Sequence, residues 1–244
     1  MDSLETELER ARALEESELA DAIETIGFEC TRCGACCKAE SACGEGGESA
    51  DEAVDAPDEN ADSAETDAEP HTATVFPDEI RQLQVAGEYD FRDVARPMPY
   101  GLADGPEGPE GETFEWALQT DDCGDCTFYA EGDDGTGACT VHGDRPLICQ
   151  TYPFSVALGG TSQPMGEAVD EEGVVRAHEC EGLGRDISRA DAEELAAALK
   201  ERAVRELTEA IGVRDTYRPV DPSAGQVVVH DSEGAKRPDG SPYE

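Results

Sequence analysis

The stretch ECTRCGACC, residues 29–37, places four cysteines in eight consecutive positions, with Cys36 directly next to Cys37. Thiolates held that close repel one another and stay protonated unless a cation compensates them. A two-residue gap lets both sulfurs of a CxxC turn face one ion. Cys30, Cys33 and Gly34 have the form of a zinc or rubredoxin-type knuckle, in which glycine permits the tight backbone. One CxxC is a weak signal, but this chain has three, CTRC, CGAC and CGDC, together with Cys139, Cys149 and Cys180. That set points strongly to metal.

The compartment supports the same expectation. The first 28 residues are charged throughout and contain no apolar core of a secretory signal, and no stretch approaches the roughly 20 apolar residues of a membrane span. We expect a cytoplasmic protein with no membrane partner. In that reducing environment ten cysteines indicate metal binding or redox chemistry rather than a disulfide framework. The chain has 58 acidic residues against 18 basic ones, a formal net charge of -40, and only three lysines, Lys38, Lys200 and Lys236. The acid is spread over helices, loops and both ends, as on the solvated surfaces of salt-in halophiles, where high salt screens the self-repulsion. Such a surface lacks the basic footprint that nucleic-acid binding requires.

Apolar positions organise the rest. Leu4, Leu8 and Ala11, then Leu19, Ile23 and Ile26, recur at helical spacing, with Ser17 placed to cap a second helix and Gly27 to end it. Residues 44–70 contain eleven acidic residues and no basic one, so they are expected to form a disordered acidic insert. TATVF, residues 72–76, has strand composition, and Pro77-Asp78-Glu79-Ile80 opens a helix. Residues 101–112 are expected to be a loop, and TFEWALQ, 113–119, a strand. Ser188 and Asp191 cap a helix carrying Leu195, Leu199, Ala203, Leu207 and Ile211 on one face, expected to stop at Gly212. Residues 226–230 form a last strand.

The expected fold class is therefore α+β: a small irregular metal-organised domain with short strands, N-terminal helices and a long C-terminal helix. Its parts are an N-terminal helical segment, 1–28, a cysteine-cluster domain, 29–212, and a C-terminal strand and polar tail, 213–244.

Within the cysteine run, a partly helical 30–37 would put Cys30, Cys33 and Cys37 near one face and Cys36 off it. Adjacent side chains diverge, so Cys36 and Cys37 are expected to serve different metals, or different metals of one cluster. Pro146 suits a helix N1 position, placing Cys149 in a first turn that favours thiolate. His142 and His178 are either ligands or hydrogen-bonded structural histidines. Surface solvation is the default role of the nearby cations Arg32, Lys38 and Arg145.

These residues together resemble the YkgJ-like cysteine-cluster family, a zinc- or iron-chelating domain also labelled an Fe-S oxidoreductase. The family pattern CxxCGxCC matches Cys30, Cys33, Gly34, Cys36 and Cys37. PDEI at 77–80 follows, then Cys126-Thr-Phe128, then GACTVHGDRPLICQTYPF at 137–154, and finally Cys180-Glu-Gly182. The resemblance runs from about residue 28 to 185 and implies metal chelation by Cys30, Cys33, Cys36, Cys37, Cys126, Cys139, Cys149 and Cys180, with zinc or iron as the ion. Cys43 and Cys123 are additional to the family's eight; Cys43 is expected to be a free thiol, and Cys123 to be either outside the set or a ninth ligand.

Three function classes follow. A zinc- or iron-chelating domain is the first. An iron-sulfur electron-transfer protein is the second, although CxxCxxCC differs from the ferredoxin run. A thiol-disulfide enzyme using CGDC is the third, and it lacks the helix N-terminus and βαβ surroundings that such a motif needs. No P-loop, GxGxxG turn or HExxH helix is present, so no independent enzyme activity is indicated.

Overall fold

The computed structural model describes residues 2–39, 70–106, 108–158, 168–170, 173–223 and 225–243. Cys43 and the expected acidic insert, apart from Pro70, lie outside them. In chain order the elements begin with α1 (Leu4–Arg12), α2 (Glu16–Ile26), β1 (Thr74–Val75), α3 (Pro77–Gly87) and α4 (Phe91–Val94). Five short strands follow: β2 (Ala95–Pro97), β3 (Leu102–Gly105), β4 (Gly108–Thr113), β5 (Trp116–Leu118) and β6 (Tyr129–Glu131). The chain continues through β7 (Gly137–Cys139), α5 (Leu147–Thr151), β8 (Phe154–Val156), β9 (Ala168–Asp170) and β10 (Val175–His178). It ends with α6 (Arg189–Thr216), β11 (Val227–Asp231) and β12 (Gly234–Lys236). The α+β class with short strands and a long C-terminal helix is the one the sequence indicates.

Two apolar cores lie side by side. The first is built on α6, whose Ala192, Ala196, Leu199, Ala203 and Leu207 are buried against Leu8 and Ala11 of α1 and Leu19 and Ile23 of α2. Phe154, Val156, Val175 and Ala177, from β8 and β10 of the β8-β10-β9 sheet, close it. The second gathers Ile80 and Leu83 of α3 with Val75, Trp116 and Leu118 of the β1-β5-β2 sheet, together with Cys126 and Phe128. Arg202 joins the two. It is 1% exposed; its Nε donates to Glu206 at 2.7 Å, and its Nη1 donates to Thr151 Oγ1 at 3.0 Å and to the Phe154 carbonyl at 3.3 Å. A buried guanidinium with this many acceptors ties α6 to α5 and β8 in one geometry.

Helix ends depart from expectation in two places. Glu15, not Ser17, is the N-cap residue of α2, so Ser17 sits inside the first turn. Gly212 does not stop α6, which runs on to Thr216. The glycine is required there for another reason: a Cβ at 212 would stand 2.6 Å from Cβ of Ser232, so the missing side chain admits the turn after β11. Within 101–112, residues 102–105 and 108–112 are paired strands rather than a loop. β3 and β4 pair antiparallel from Leu102↔Gly111 to Gly105↔Gly108, and β4 is held from its other side by β11, which pairs parallel to it. Local composition speaks for a loop because it does not register the long-range partner, residues 227–229.

The chain leaves the described fold at Ala39 and re-enters it at Pro70, and both ends meet the same turn. The Ala39 N–H donates to Asp125 Oδ1 at 2.8 Å, and the His71 N–H donates to the Gly124 carbonyl at 2.7 Å. His71 is only partly exposed, and burial, with Arg96 nearby, pulls its pKa down from 6.5 to about 4. The folded protein thus binds this proton less readily than the unfolded chain does. Stability from His71 is complete above pH 6.5 and is lost as the pH falls toward 4, with an upper limit of about 3 kcal/mol. Denaturant titrations of wild type and His71→Gln at pH 7.5 and 4.5 check this. The wild type should lose more stability on acidification than the variant does; equal losses would remove His71 from the acid response.

Candidate metal centre

Residues 29–37 form the spine of the site. They are not an α-helix: 30–34 are irregular, and only Ala35–Cys37 make a 3-10 turn. The helical-face argument for Cys30, Cys33 and Cys37 therefore does not apply. What places the thiols is backbone pairing to other cysteine-bearing segments. The Glu29 N–H donates to the Gly182 carbonyl at 3.0 Å, the Gly137 N–H to the Arg32 carbonyl at 2.8 Å, and the Cys126 N–H to the Cys37 carbonyl at 2.8 Å. One nine-residue segment thus holds the stretches of Cys180, Cys139 and Cys126.

Two glycines make this approach possible. Gly34 is left-handed, and a Cβ on it would fall 2.3 Å from the Tyr129 hydroxyl, so the missing side chain admits the phenol end of the tyrosine against the knuckle. At Gly182 a Cβ would fall 2.3 Å from the Glu29 carbonyl oxygen. Tyr129 is fixed in turn by donating to Glu131 at 2.7 Å, and Glu131 also pairs with Lys38, whose ammonium lies 5.1 Å from the Tyr129 ring centre. Lys38 is thus a strut rather than a freely solvated cation.

Cys149 arrives on α5, capped by Pro146 at the N-cap position rather than at N1. This short helix is anchored by Glu79 of the PDEI motif. Glu79 Oε2 accepts from the Phe76 N–H at 3.0 Å and Oε1 from the Leu147 N–H at 2.9 Å, so a single carboxylate serves the first turns of α3 and α5. Burial pushes its pKa up, while both N–H bonds act against that rise.

Cys30, Cys33, Cys36, Cys37, Cys126, Cys139, Cys149 and Cys180 are all free thiols. Their mutual influence maps the site. Cys36 and Cys37 have their sulfurs 3.8 Å apart, and that contact, before burial, drives the Cys36 pKa far up. Burial pushes Cys126 up to about 11, with Cys139 and Cys36 adding to it. Burial also raises Cys149, with Cys126, Cys36 and Cys139 reinforcing and Arg145 opposing; the expected preference of its helix turn for thiolate is overruled. Cys180 is raised by burial and by Cys36, Cys33 and Cys30, against a Gly182 N–H that donates to its sulfur at 3.4 Å.

Cys36 thus touches Cys37 and also raises Cys126, Cys149 and Cys180. One group is Cys37, Cys126, Cys139 and Cys149, all in or against the second apolar core. The other is Cys30, Cys33 and Cys180, gathered at the rim. Tyr152 stands beside the rim group; its hydroxyl donates to the Glu179 carbonyl, and burial with Cys180, Cys36 and Cys33 lifts its pKa to about 12. Sequence reasoning gave this residue no role, although its spacing three after Cys149 was the available signal.

Two histidines and Cys123 remain. His178 is buried with Nε2 2.8 Å from Ser155 Oγ, the structural alternative. His142 is exposed, and Arg145 lowers its pKa. Cys123 is disulfide-bonded, which removes it from the ligand set, and Cys126 is free, so CGDC is not a closed disulfide.

Do these residues fit a metal ion? Metal–thiolate bonds of about 2.3 Å make the sulfur–sulfur edge of a tetrahedral site about 3.8 Å, the separation of Cys36 and Cys37, whose side chains do not diverge as expected. Eight unbridged thiols, of which Cys36, Cys126, Cys149 and Cys180 are pushed up by burial and by neighbouring thiols, are the donor set a soft cation relieves. Among the described residues no three His, Cys, Asp or Glu side chains are grouped tightly enough to enclose an ion as they stand. The cysteines are gathered but not closed.

A model of the CxxCxxCC family, described as a "putative zinc- or iron-chelating domain", matches residues 29–181. The chain belongs to this family. The matched region takes in every cysteine-bearing segment described above, and the zinc- or iron-chelating character sets its chemistry. No curated protein and no solved structure matches the chain.

Glu79 offers a test of how the domain supports α5. Glu79→Gln retains one accepting oxygen and leaves one of two buried N–H groups unpaired, which should cost about 1–3 kcal/mol. A melting temperature unchanged from wild type would show that α5 is held by other contacts.

Proposed function

We propose that this protein binds zinc or iron through Cys30, Cys33, Cys36, Cys37, Cys126, Cys139, Cys149 and Cys180, and that the bound metal completes a domain whose loops its two small cores hold only in part. The observation that carries this is the gathering of eight free thiols, from five stretches of chain, around the doubled cysteine. A bound cation supplies the positive charge that lets these thiols ionise together, and its binding free energy then adds to folding free energy. The chain's own part is to hold the sulfurs. Backbone bonds from 29–37 set the spacing, Glu79 fixes the turn of Cys149, and Tyr152 closes the side next to Cys180.

A formal charge of -40 suits a salt-rich setting. No described helix is long and apolar enough to cross a membrane. An iron-sulfur redox protein is the alternative, and the ion itself separates the two.

The deciding measurement is metal content with a visible spectrum, on protein purified without oxygen in molar KCl. Colourless protein carrying zinc is expected of a chelating module. Brown protein with iron and acid-labile sulfide would move the assignment to electron transfer, and metal-free, well-folded protein would end both. Cys33→Ser and Cys149→Ser should each lose metal and compactness together; full stoichiometry in the Cys149 variant would remove it from the ligand set.

A further inference from the structure

A groove lined by residues of both apolar cores lies apart from the thiols, for no cysteine lines it. Its volume is about 500 Å³, within the roughly 300–1,000 Å³ of small-molecule sites. Its surface is mostly apolar: α6 contributes Leu207 and Val213, β1 and β8 contribute Val75 and Val156, and the corner after β4 brings Phe114 and Glu115. Four large apolar side chains stand exposed among the described residues, and two of them, Tyr100 at 61% and Phe114 at 47%, lie on this groove. Exposed aromatics beside an apolar hollow mark a binding surface. Both are held in place. The Tyr100 carbonyl accepts from Thr113 Oγ1 at 2.9 Å, and Phe114 stacks on His230 with ring centres 5.3 Å apart.

The charges on the groove are unbalanced. Four carboxylates, Glu115, Glu206, Glu209 and Asp231, line it with one guanidinium, Arg214. Arg214 is already paired with Glu5 at 2.7 Å and Asp215 at 2.9 Å. Glu206 holds Arg202 at 2.7 Å, Asp231 accepts from the Trp116 indole N–H at 3.0 Å, and Glu209 bonds to Ser232. The Glu115 carboxylate has neither a hydrogen-bond donor nor a cation paired with it among the described residues. It is exposed to solvent, yet the protein around it and the Glu206 carboxylate push its pKa up. A cation placed beside it relieves both effects.

We propose that this groove binds a small amphipathic organic cation, an apolar body carrying one ammonium head, with Glu115 as the counter-ion of the head. The body displaces water from Val75, Val156 and Leu207. The head lies where Tyr100 and Phe114 offer aromatic rings and Glu115 a free carboxylate, the combination that holds an ammonium away from bulk water. An anionic ligand would meet four like charges and find Arg214 occupied, and a neutral one would leave Glu115 unpaired. The site does not depend on chelation, so the two readings fail separately.

The test uses the full reduced chain in molar KCl and three probes that share one apolar body: phenylhexylamine, phenylhexanol and phenylhexanoate. Binding is followed by calorimetry and by the fluorescence of Trp116, the chain's one tryptophan, which lines the groove. The amine should bind about tenfold or more tighter than the alcohol, and the carboxylate weakest. Glu115→Gln keeps the size of an exposed side chain and removes its charge; it should bring the amine down to the affinity of the alcohol, with the alcohol and the melting temperature unmoved. Ala210→Phe, which fills the groove from α6, should block all three probes. Equal binding of amine and alcohol, tightest binding of the carboxylate, or an amine preference that survives Glu115→Gln would each overturn the proposal. So would failure of all three probes to bind, and binding of a basic amphipathic helical peptide in their place would make the groove a protein-docking face instead.

Discussion

Three backbone hydrogen bonds from residues 29–37 hold the rest of the site in place. They run from Glu29, Arg32 and Cys37 to Gly182, Gly137 and Cys126, so one irregular segment carries four cysteines and also sets where three others stand. Bonds of this kind contribute about 1 kcal/mol each in net terms, too little to fix a cluster of mutually repelling thiols by themselves. Their value is geometric. They confine sulfurs from distant parts of the chain to one region, and metal binding then draws on that confinement instead of ordering the loops from a random state.

The two apolar cores have unequal parts in this. The α1–α2–α6 core with β8 and β10 stands beside the rim group through Phe28 and Leu183, and otherwise serves as a platform. The second core contains Cys126 and has Cys37, Cys139 and Cys149 against it. Arg202 and Glu79 link the two: the first through α5 and β8, the second through the N-termini of α3 and α5. Buried charged groups are costly unless fully partnered, and both sit where a hydrophobic residue could not hold two elements at once.

Much of this was legible along the chain. The helices at 4–12, 16–26 and 189–216, the PDEI helix and the last strand follow from spacing and capping, because those are local properties. The family was legible too, since its motifs are strings of residues at set distances. Three of the departures share one cause. Local composition makes Gly212 a helix stop, whereas it makes room for Ser232; it makes residues 101–112 a loop, whereas β11 supplies a partner to β4; and the helix turn of Cys149 favours thiolate, whereas burial dominates. In each case a residue far away in sequence outweighs local preference.

The sequence by itself determined the inventory: ten cysteines, their spacing, a large acidic excess and an α+β order of elements. Only the tertiary structure decided which thiols are neighbours. It removed Cys123 through a disulfide, set the Cys36 sulfur against that of Cys37, set four cysteines in or against a core and left four toward solvent, and gave Tyr152 and Glu79 their supporting roles. The physical reason is that sequence spacing fixes sulfur positions only within a turn or two, about the reach of one CxxC. The distance between turns is set by long-range backbone pairing, and by which side of each turn an apolar core happens to cover.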